Sequence, residues 1–159
     1  MKDPIEWLDD ENNAPLQQAM EPVGTYGFPA KDTNIEIRPI YHIQKIRQGL
    51  KKSSLDSLMR KSNLSLFEMA NILDITDRTI RRYAADDLLS RSLSERILEI
   101  AALYSHGEDV FGSAASFQQW MAADVPAIGH RQPKSMLDTS IGIQLIHDEL
   151  GRIEHGVFA

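Results

Sequence analysis

Cysteine is absent from this sequence of 159 residues, which excludes disulfide bonds, zinc–thiolate sites and a cysteine nucleophile. Long apolar runs are missing too, since no stretch approaches the roughly 18 residues needed to span a bilayer. The N-terminus also lacks the positive segment and apolar run of a signal peptide. We therefore expect a soluble, cytoplasmic protein without a membrane partner, and the hydrophobic fraction of 42% is sufficient for a folded core.

Sequence motifs of catalysis and metal binding are also missing. The chain has no HExxH motif, no glycine-rich phosphate loop, no GxSxG motif and no paired carboxylates. His147 and Glu149 are close in sequence, but about 200° separates them on a helix, so they do not share a face. We predict no enzyme activity, no metal site and no cofactor, although turnover by the purified chain would support an enzyme.

Positive charge is scarce overall, at a net −6, but it is concentrated in one region. Residues 42–82 hold nine basic and four acidic side chains. The flanking regions are acidic: residues 1–34 hold two basic and seven acidic side chains, and residues 83–159 hold five basic and eleven acidic ones. Local charge matters most, because attraction to phosphates acts within a Debye length of about 8–10 Å. The basic region predicts a nucleic-acid surface or, alternatively, a solvated helix face.

Hydrophobic periodicity predicts an all-α fold from Tyr41 onward. Before it, residues 1–34 are acidic, contain four prolines and show no persistent period, so we predict a flexible arm that is disordered or ordered only against a partner. Residues 35–41 alternate weakly, and Pro39 limits them to an edge strand or an extended lead-in.

Capping residues and glycines predict where the helices begin and end. The predicted N-caps are Ser53 or Ser54 and Thr76, and a further helical segment, over 66–73, follows Ser65. The predicted stops are Gly107, after a helix over 93–104 that links two cores, and Gly151, after a last helix over 139–150.

Residues 66–85 have the pattern of a helix-turn-helix, in which two short helices cross closely. Ala70 is the small residue that such a crossing requires. Asp74 lies in the turn, where it tolerates a left-handed conformation, and Thr76 caps the second helix. A helical hairpin of an ordinary bundle can mimic this pattern, but the basic outer face and the cap favour DNA binding. The residues predicted to face the shared core are Met69, Leu73, Ile75, Ile80 and Tyr83.

The second helix of this motif presents its N-terminal residues to the major groove. Arg78 can donate two hydrogen bonds to guanine, and Thr79 can reach a base edge or a thymine methyl group. Two more arginines in this helix suit a base or phosphate contact, and two basic residues before the motif suit phosphates. The predicted DNA-binding residues are Arg78, Thr79, Arg81, Arg82, Arg60 and Lys61.

The C-terminal tail combines apolar residues, charged residues and a glycine hinge, which is typical of a segment that docks into a partner. The alternative is that Val157 and Phe158 fold back onto the core of their own chain. The tail residues predicted to bind a partner are Arg152, Ile153, Glu154, His155, Val157 and Phe158.

Several short motifs, spread over residues 111–158, carry a family resemblance. They are Phe111-Gly112, Phe117-Gln-Gln-Trp120, Pro126, Gly129, Pro133, Leu137-Asp-Thr139, Gly142 and Arg152-Ile-Glu-His-Gly-Val-Phe158. With the helix-turn-helix, residues 60–159 resemble the Xre/MbcA/ParS antitoxins, the partners of RES-domain toxins. Ser140 departs from a frequent proline and Gly129-His130-Arg131 from a double glycine, and both changes affect loop stiffness more than the contact surface.

The resemblance implies the antitoxin of a type II toxin–antitoxin module. Such a protein blocks an NAD-consuming RES-domain toxin with its C-terminal segment and represses its own operon by binding operator DNA, as a homodimer or a higher hetero-oligomer with the toxin. We predict a flexible arm over 1–40, a helix-turn-helix domain over 41–105 and a small helical toxin-binding domain over 106–159. The alternative is a stand-alone repressor whose helical C-terminal domain senses a small molecule, which an apolar pocket between residues 93 and 150 would favour.

Overall fold

The computed structural model describes residues 2–8 and 37–156. The predictions for residues 9–36, Val157 and Phe158 lie outside these ranges. None of the helices that it describes combines the length and apolar character required to cross a membrane.

The described residues form α-helices joined by short turns, which confirms the predicted all-α fold. Two 3-10 turns, Pro126–Ile128 and Pro133–Met136, connect the last two helices. The helices are α1 (Pro4–Leu8), α2 (Ile37–Gln48), α3 (Lys52–Ser62), α4 (Leu66–Ile72), α5 (Asp77–Arg82), α6 (Arg91–Phe111), α7 (Ala114–Ala122) and α8 (Ser140–Glu154).

Helix α6 is the centre of the fold, because α1, α2, α3, α7 and α8 all pack against it. Its buried residues include Ile97, Ile100 and Leu103, which have no exposed surface. The prediction that this helix links two cores differs from what is observed, since one continuous cluster of buried residues runs from α1 to α8.

The structure confirms the predicted N-cap Thr76 and shows that Ser65 is an N-cap too. The Ser65 hydroxyl accepts a hydrogen bond from the Glu68 amide, and the Glu68 carboxylate accepts one from the Ser65 amide, so the two residues form a capping box. The Thr76 hydroxyl accepts from the Thr79 amide. The predicted caps Ser53 and Ser54 are wrong, since they lie inside the first turn of α3.

The N-terminus of α3 uses a neighbouring loop in place of a side-chain cap. Its N-cap residue, Lys51, makes no capping hydrogen bond. The Lys52 amide donates to the Asp87 carbonyl and the Ser53 amide to the Ala85 carbonyl, both at 2.9 Å. Backbone groups from the loop after α5 therefore satisfy donors that a serine would otherwise satisfy.

Both glycines that were predicted to stop helices lie within them, so both predictions are wrong. Helix α6 continues through Gly107 to Phe111, and Gly112 ends it with a φ of +76°. Helix α8 likewise continues through Gly151 to Glu154. Gly107 is needed for packing, because a Cβ atom there would lie 2.4 Å from the Phe117 ring.

Residues 37–40 are helical, so the predicted edge strand or extended lead-in is wrong there. Pro39 is the third residue of α2. An amide in the first turn of a helix has no partner within that helix, and the missing N–H group of proline therefore costs nothing at this position.

The start of the predicted arm also contains a helix that the sequence analysis missed. Ile5, Trp7 and Leu8 of α1 are buried in the common core. The Asp3 carboxylate accepts a hydrogen bond from the Ile5 amide and lies 2.9 Å from His42 Nε2 on α2. Five helical residues are too few for periodicity to reveal, and tertiary packing stabilises this helix.

Gly107→Ala is expected to destabilise the protein, because the fully buried Phe117 ring must move to admit a methyl group. Overpacking of this kind costs about 1–3 kcal/mol. Gly151→Ala is the matched control, since no atom lies within 4 Å of its Cβ position, and it should raise stability by about 0.5–1 kcal/mol. Urea denaturation measures both free energies, and equal effects would contradict the packing argument.

Glu68 connects α4 to the C-terminal half of the chain, because Lys134 Nζ lies 3.0 Å from its Oε1. Hydrogen bonds from the Ser65 amide, and then from Lys134, lower the pKa of Glu68 from 4.5 to about 2. A lowered carboxyl pKa stabilises the fold above the unfolded-state pKa, and this contribution is lost as the pH falls through the folded-state pKa.

Glu68→Gln keeps the capping geometry but removes the charge, so it should lower the free energy of unfolding at pH 7 by about 0.5–1 kcal/mol. The difference from wild type should close between pH 4.5 and about 2. Lys134→Met is the matched variant that removes only the ion pair. Denaturant titrations across this pH range provide the test, and a difference that does not depend on pH would contradict it.

Candidate functional site

Helices α4 and α5 have the geometry that the helix-turn-helix pattern predicts. Asp74 adopts the left-handed conformation, with a φ of +53°. The Ile75 amide then donates to the Ala70 carbonyl at 3.0 Å, which holds the turn against the first helix. Met69, Ala70 and Ile80 are buried between the helices and the rest of the core.

The outer face of α5 is basic and exposed. Arg78, Arg81 and Arg82 lie at the surface, and Thr79 is half-buried. The Thr79 hydroxyl lies 2.9 Å from the Thr76 hydroxyl at the start of the helix. The structure therefore brings four of the predicted DNA-binding residues together on a single helix.

Arg81 makes only a weak contact within the protein. Its Nε atom lies 3.7 Å from Asp77 Oδ2, and the two side chains are 70% and 56% exposed. Surface pairs of this kind contribute little and are screened by salt. The guanidinium groups of α5 are consequently accessible to an anionic ligand.

The loop after α5 fixes the position of this helix. Within the loop, the Asp87 carboxylate accepts a hydrogen bond from the Ala84 amide at 2.7 Å. Lys51 Nζ lies 3.0 Å from Asp86 Oδ1, and the Leu89 amide donates to the Leu50 carbonyl at 2.8 Å. Together with the loop contacts of α3, these hydrogen bonds connect α5 to the main body of the fold.

The two basic residues before the motif have different surroundings. Arg60 is exposed, and its Nη2 atom donates to the Ser57 hydroxyl at 3.1 Å. The Lys61 ammonium group instead donates to the Trp7 carbonyl and lies 5.2 Å from the centre of the Trp7 ring. Lys61 thus holds α1 in place, and the structure does not group it with the arginines of α5.

The predicted tail residues begin on a helix, not beyond one. Arg152, Ile153 and Glu154 form the last turn of α8, and His155 and Gly156 follow as an exposed turn. The structure therefore describes four of the six predicted tail residues. Val157 and Phe158 lie outside the described part of the chain.

Two of the tail residues, Arg152 and His155, make contacts with other residues of α8. Arg152 Nε and Nη2 each lie 2.7 Å from Oε2 of Glu149, a residue that is mostly buried. His155 Nδ1 lies 2.7 Å from the Gly151 carbonyl. These contacts fix the direction in which the chain leaves α8.

Glu154 belongs to a cluster that the sequence analysis did not find. Its Oε2 atom lies 3.4 Å from His106 Nε2 on α6, and His106 Nδ1 lies 3.2 Å from His147 Nδ1. His147 and Glu154 are seven residues apart and share one face of α8, which was the available sequence signal. The contribution of His106 had no signal, because it depends on the packing of α6 against α8.

Burial lowers the pKa of His147 below its usual value of 6.5, and the nearby His106 lowers it further, while Asp148 acts in the opposite direction. No group of three or more histidine, aspartate or glutamate side chains within the described residues has the geometry of a metal site. The side chains of the cluster contact one another at 3.2 and 3.4 Å, within hydrogen-bond distance.

Helix α8 also presents apolar residues to solvent. Ile141 is 86% exposed and Leu145 is 38% exposed. They lie on one stripe of the helix with Asp148 and Arg152, because these positions are three or four residues apart. Exposed apolar side chains on a charged surface mark a surface that suits a protein partner.

Comparison with known proteins matches both halves of the chain. Residues 42–102 match the antitoxin Xre-like helix-turn-helix domain, and residues 106–156 match the antitoxin Xre/MbcA/ParS C-terminal toxin-binding domain. Both are modules of regulatory proteins and not of enzymes. The first match contains α5, and the second contains the histidine cluster and all of α8.

Full-length relatives agree with these matches. Antitoxin Xre of Photorhabdus laumondii subsp. laumondii is 30% identical over 139 residues, which cover 84% of this chain and 87% of the relative. Antitoxin Xre of Yersinia enterocolitica serotype O:8 / biotype 1B is 29% identical over 119 residues, which cover 74% of this chain and 80% of the relative. A Prs ADP-ribosylating antitoxin of a Sphingobium species is 28% identical over 131 residues, or 76% and 82%. The chain with the basic helix α5 and the exposed turn after α8 therefore belongs to the Xre antitoxins, the helix-turn-helix antitoxins of toxin–antitoxin systems.

Proposed function

We propose that this antitoxin neutralises an NAD-consuming RES-domain toxin by placing its C-terminal segment, residues 152–159, at the entrance of the toxin active site. The observation that carries the proposal is the position of residues 152–156, the described part of this segment. Helix α8 is fixed by its buried face, which includes Ile143, Ile146 and Leu150, and it presents Glu154 and the following turn to solvent.

Charge supports an NAD-binding target. A pocket that holds the pyrophosphate of NAD requires basic side chains, and the Glu154 carboxylate is suited to pair with them. The acidic balance of residues 83–159 steers the antitoxin towards such a pocket. The name of the Sphingobium relative refers to ADP-ribosylation, a reaction in which NAD is the usual donor of the transferred group.

We also propose that the protein represses its own operon through α5. Arg78 reads a guanine and Thr79 a neighbouring base, while Arg81, Arg82 and Arg60 contact bases or phosphates. Lys61 is left out of this set, because its ammonium group is occupied by α1. Operators of helix-turn-helix repressors are usually symmetric, which favours a homodimer or a higher hetero-oligomer with the toxin.

The stand-alone repressor with a ligand-sensing domain receives less support. The cleft between α6 and the start of α8 is lined by polar residues, Ser92, Glu95, Arg96, Glu99 and Ser140. A small-molecule site is usually an apolar cavity with a few polar groups. The match of residues 106–156 to a toxin-binding domain also favours a protein partner.

Truncation after Glu154 tests the blocking segment and leaves all of α8 in place. Toxicity of the co-expressed toxin should return, because the segment that closes the active site is shortened, while operator binding by the free protein should remain. Deletion of residues 152–159 should give the same result more completely. Growth assays and electrophoretic mobility shifts measure the two activities, and neutralisation that survives both deletions would reject this proposal.

Arg78→Ala should weaken specific operator binding by about 1–3 kcal/mol, because a bidentate contact to guanine is lost. Binding to unrelated DNA should change far less. Arg131→Ala removes another exposed arginine, outside the helix-turn-helix, and is the matched control. Fluorescence anisotropy at fixed salt measures these affinities. An unchanged operator affinity would show that Arg78 does not contact a base of the operator.

A further inference from the structure

Two histidines from different helices meet beside the exposed turn at the end of α8. The planes of the His106 and His147 rings are inclined by only 20°, and 5.5 Å separates their centroids. Their Nδ1 atoms are 3.2 Å apart, and the other nitrogen of His106 lies 3.4 Å from the Glu154 carboxylate. A relay of polar groups therefore runs from the half-buried His147 to a residue of the blocking segment.

The contacts fix the tautomers of both rings when they are neutral. The ionised Glu154 carboxylate can only accept, so His106 must carry its proton on Nε2. Nδ1 of His106 is then an acceptor, and His147 must donate to it from its own Nδ1. These are the only neutral tautomers that satisfy both contacts.

The relay tolerates one additional proton but not two. A charged His106 can donate to Glu154 from one nitrogen and to a neutral His147 from the other. When both rings are charged, two N–H groups face each other across the 3.2 Å contact and the hydrogen bond is lost. Arrival of the second proton is therefore the step that breaks this hydrogen bond between α6 and α8.

Burial and His106 both lower the pKa of His147, so His147 is the ring that takes the second proton. Asp148 favours its charged form but does not overcome the opposing effects of burial and His106. Glu149 is paired with Arg152. From α2, which also packs on α6, His42 is already paired with Asp3.

Two further residues with ionisable side chains lie near His106. The first is Lys2 of the N-terminal segment, whose carbonyl accepts a hydrogen bond from the hydroxyl of Ser105, the residue before His106, at 2.9 Å. Asp109 lies one helical turn after His106 on α6 and has interactions of its own.

We propose that His106 and His147 are positioning residues that hold Glu154 and the following turn in place for the toxin, and that their relay makes toxin binding sensitive to pH. This inference rests on the proposed function, because it assumes that residues 152–159 contact the toxin. It adds a condition on binding that the family assignment does not contain.

The decisive variant is His147→Asn, because the asparagine amide can replace the Nδ1–H donor but does not titrate. Wild-type affinity for the RES-domain toxin should fall as the pH drops through the pKa of His147, which lies below 6.5, by up to about tenfold per pH unit. His147→Asn should bind as wild type does at pH 7.5 and should lose this additional fall. His147→Leu removes the donor and should bind the toxin several-fold more weakly than wild type already at pH 7.5.

His130→Asn is the matched control, because His130 is 71% exposed and lies outside the relay. The toxin affinity of this variant should depend on pH as that of the wild type does. Any titration of the toxin itself affects both profiles equally. If His147→Asn also follows the wild-type profile, the relay does not control binding and the inference fails.

Nitrogen NMR of the free antitoxin separates this inference from the proposed function. At pH 7.5 the neutral fraction of His106 should carry its proton on Nε2 and neutral His147 on Nδ1, and any other pair of tautomers would overturn the relay. If truncation after Glu154 and deletion of residues 152–159 both leave toxin affinity unchanged, the proposed function fails, whatever tautomers NMR reports. If truncation weakens binding but the pH profiles of wild type and His147→Asn coincide, only the relay fails.

Discussion

The packing of α7 against α6 is the constraint on which the rest of the structure depends. Gly107 allows the Phe117 ring to contact the backbone of α6, and the same ring packs edge-on against Tyr104 at 5.2 Å. Tyr104 in turn contacts Trp7 of α1. Close packing transmits displacements, so a change at Gly107 affects both the N-terminal helix and the C-terminal domain.

This single core determines how the two binding surfaces are related. The DNA-binding helix α5 is small and contributes mainly Ile80 to the core, so its position depends on the loop that hydrogen-bonds to the start of α3. Helix α8, which carries the start of the proposed blocking segment, instead packs directly on α6. The Glu68–Lys134 pair connects the first helix of the DNA-binding motif to the segment before α8.

Local signals predicted much of this arrangement, and tertiary contacts account for what was missed. Ser65 and Thr76 were predictable caps, because capping depends on residues that are neighbours in sequence. Gly107 was misread as a stop, since its role depends on Phe117, ten residues later and on another helix. His106 was missed for the same reason, as its partners lie on α8.

The errors also show which parts of the binding surfaces a sequence can reveal. The arginines of α5 were correctly predicted to be exposed on one helix, because an exposed helix face has a period of its own. Lys61 was grouped with them on charge alone, but its ammonium group is directed at α1, a helix too short to be predicted. Charge patterns thus identify a binding surface reliably only where the neighbouring packing is known. In this chain that packing begins with Trp7 of α1 against Tyr104 of the central helix α6.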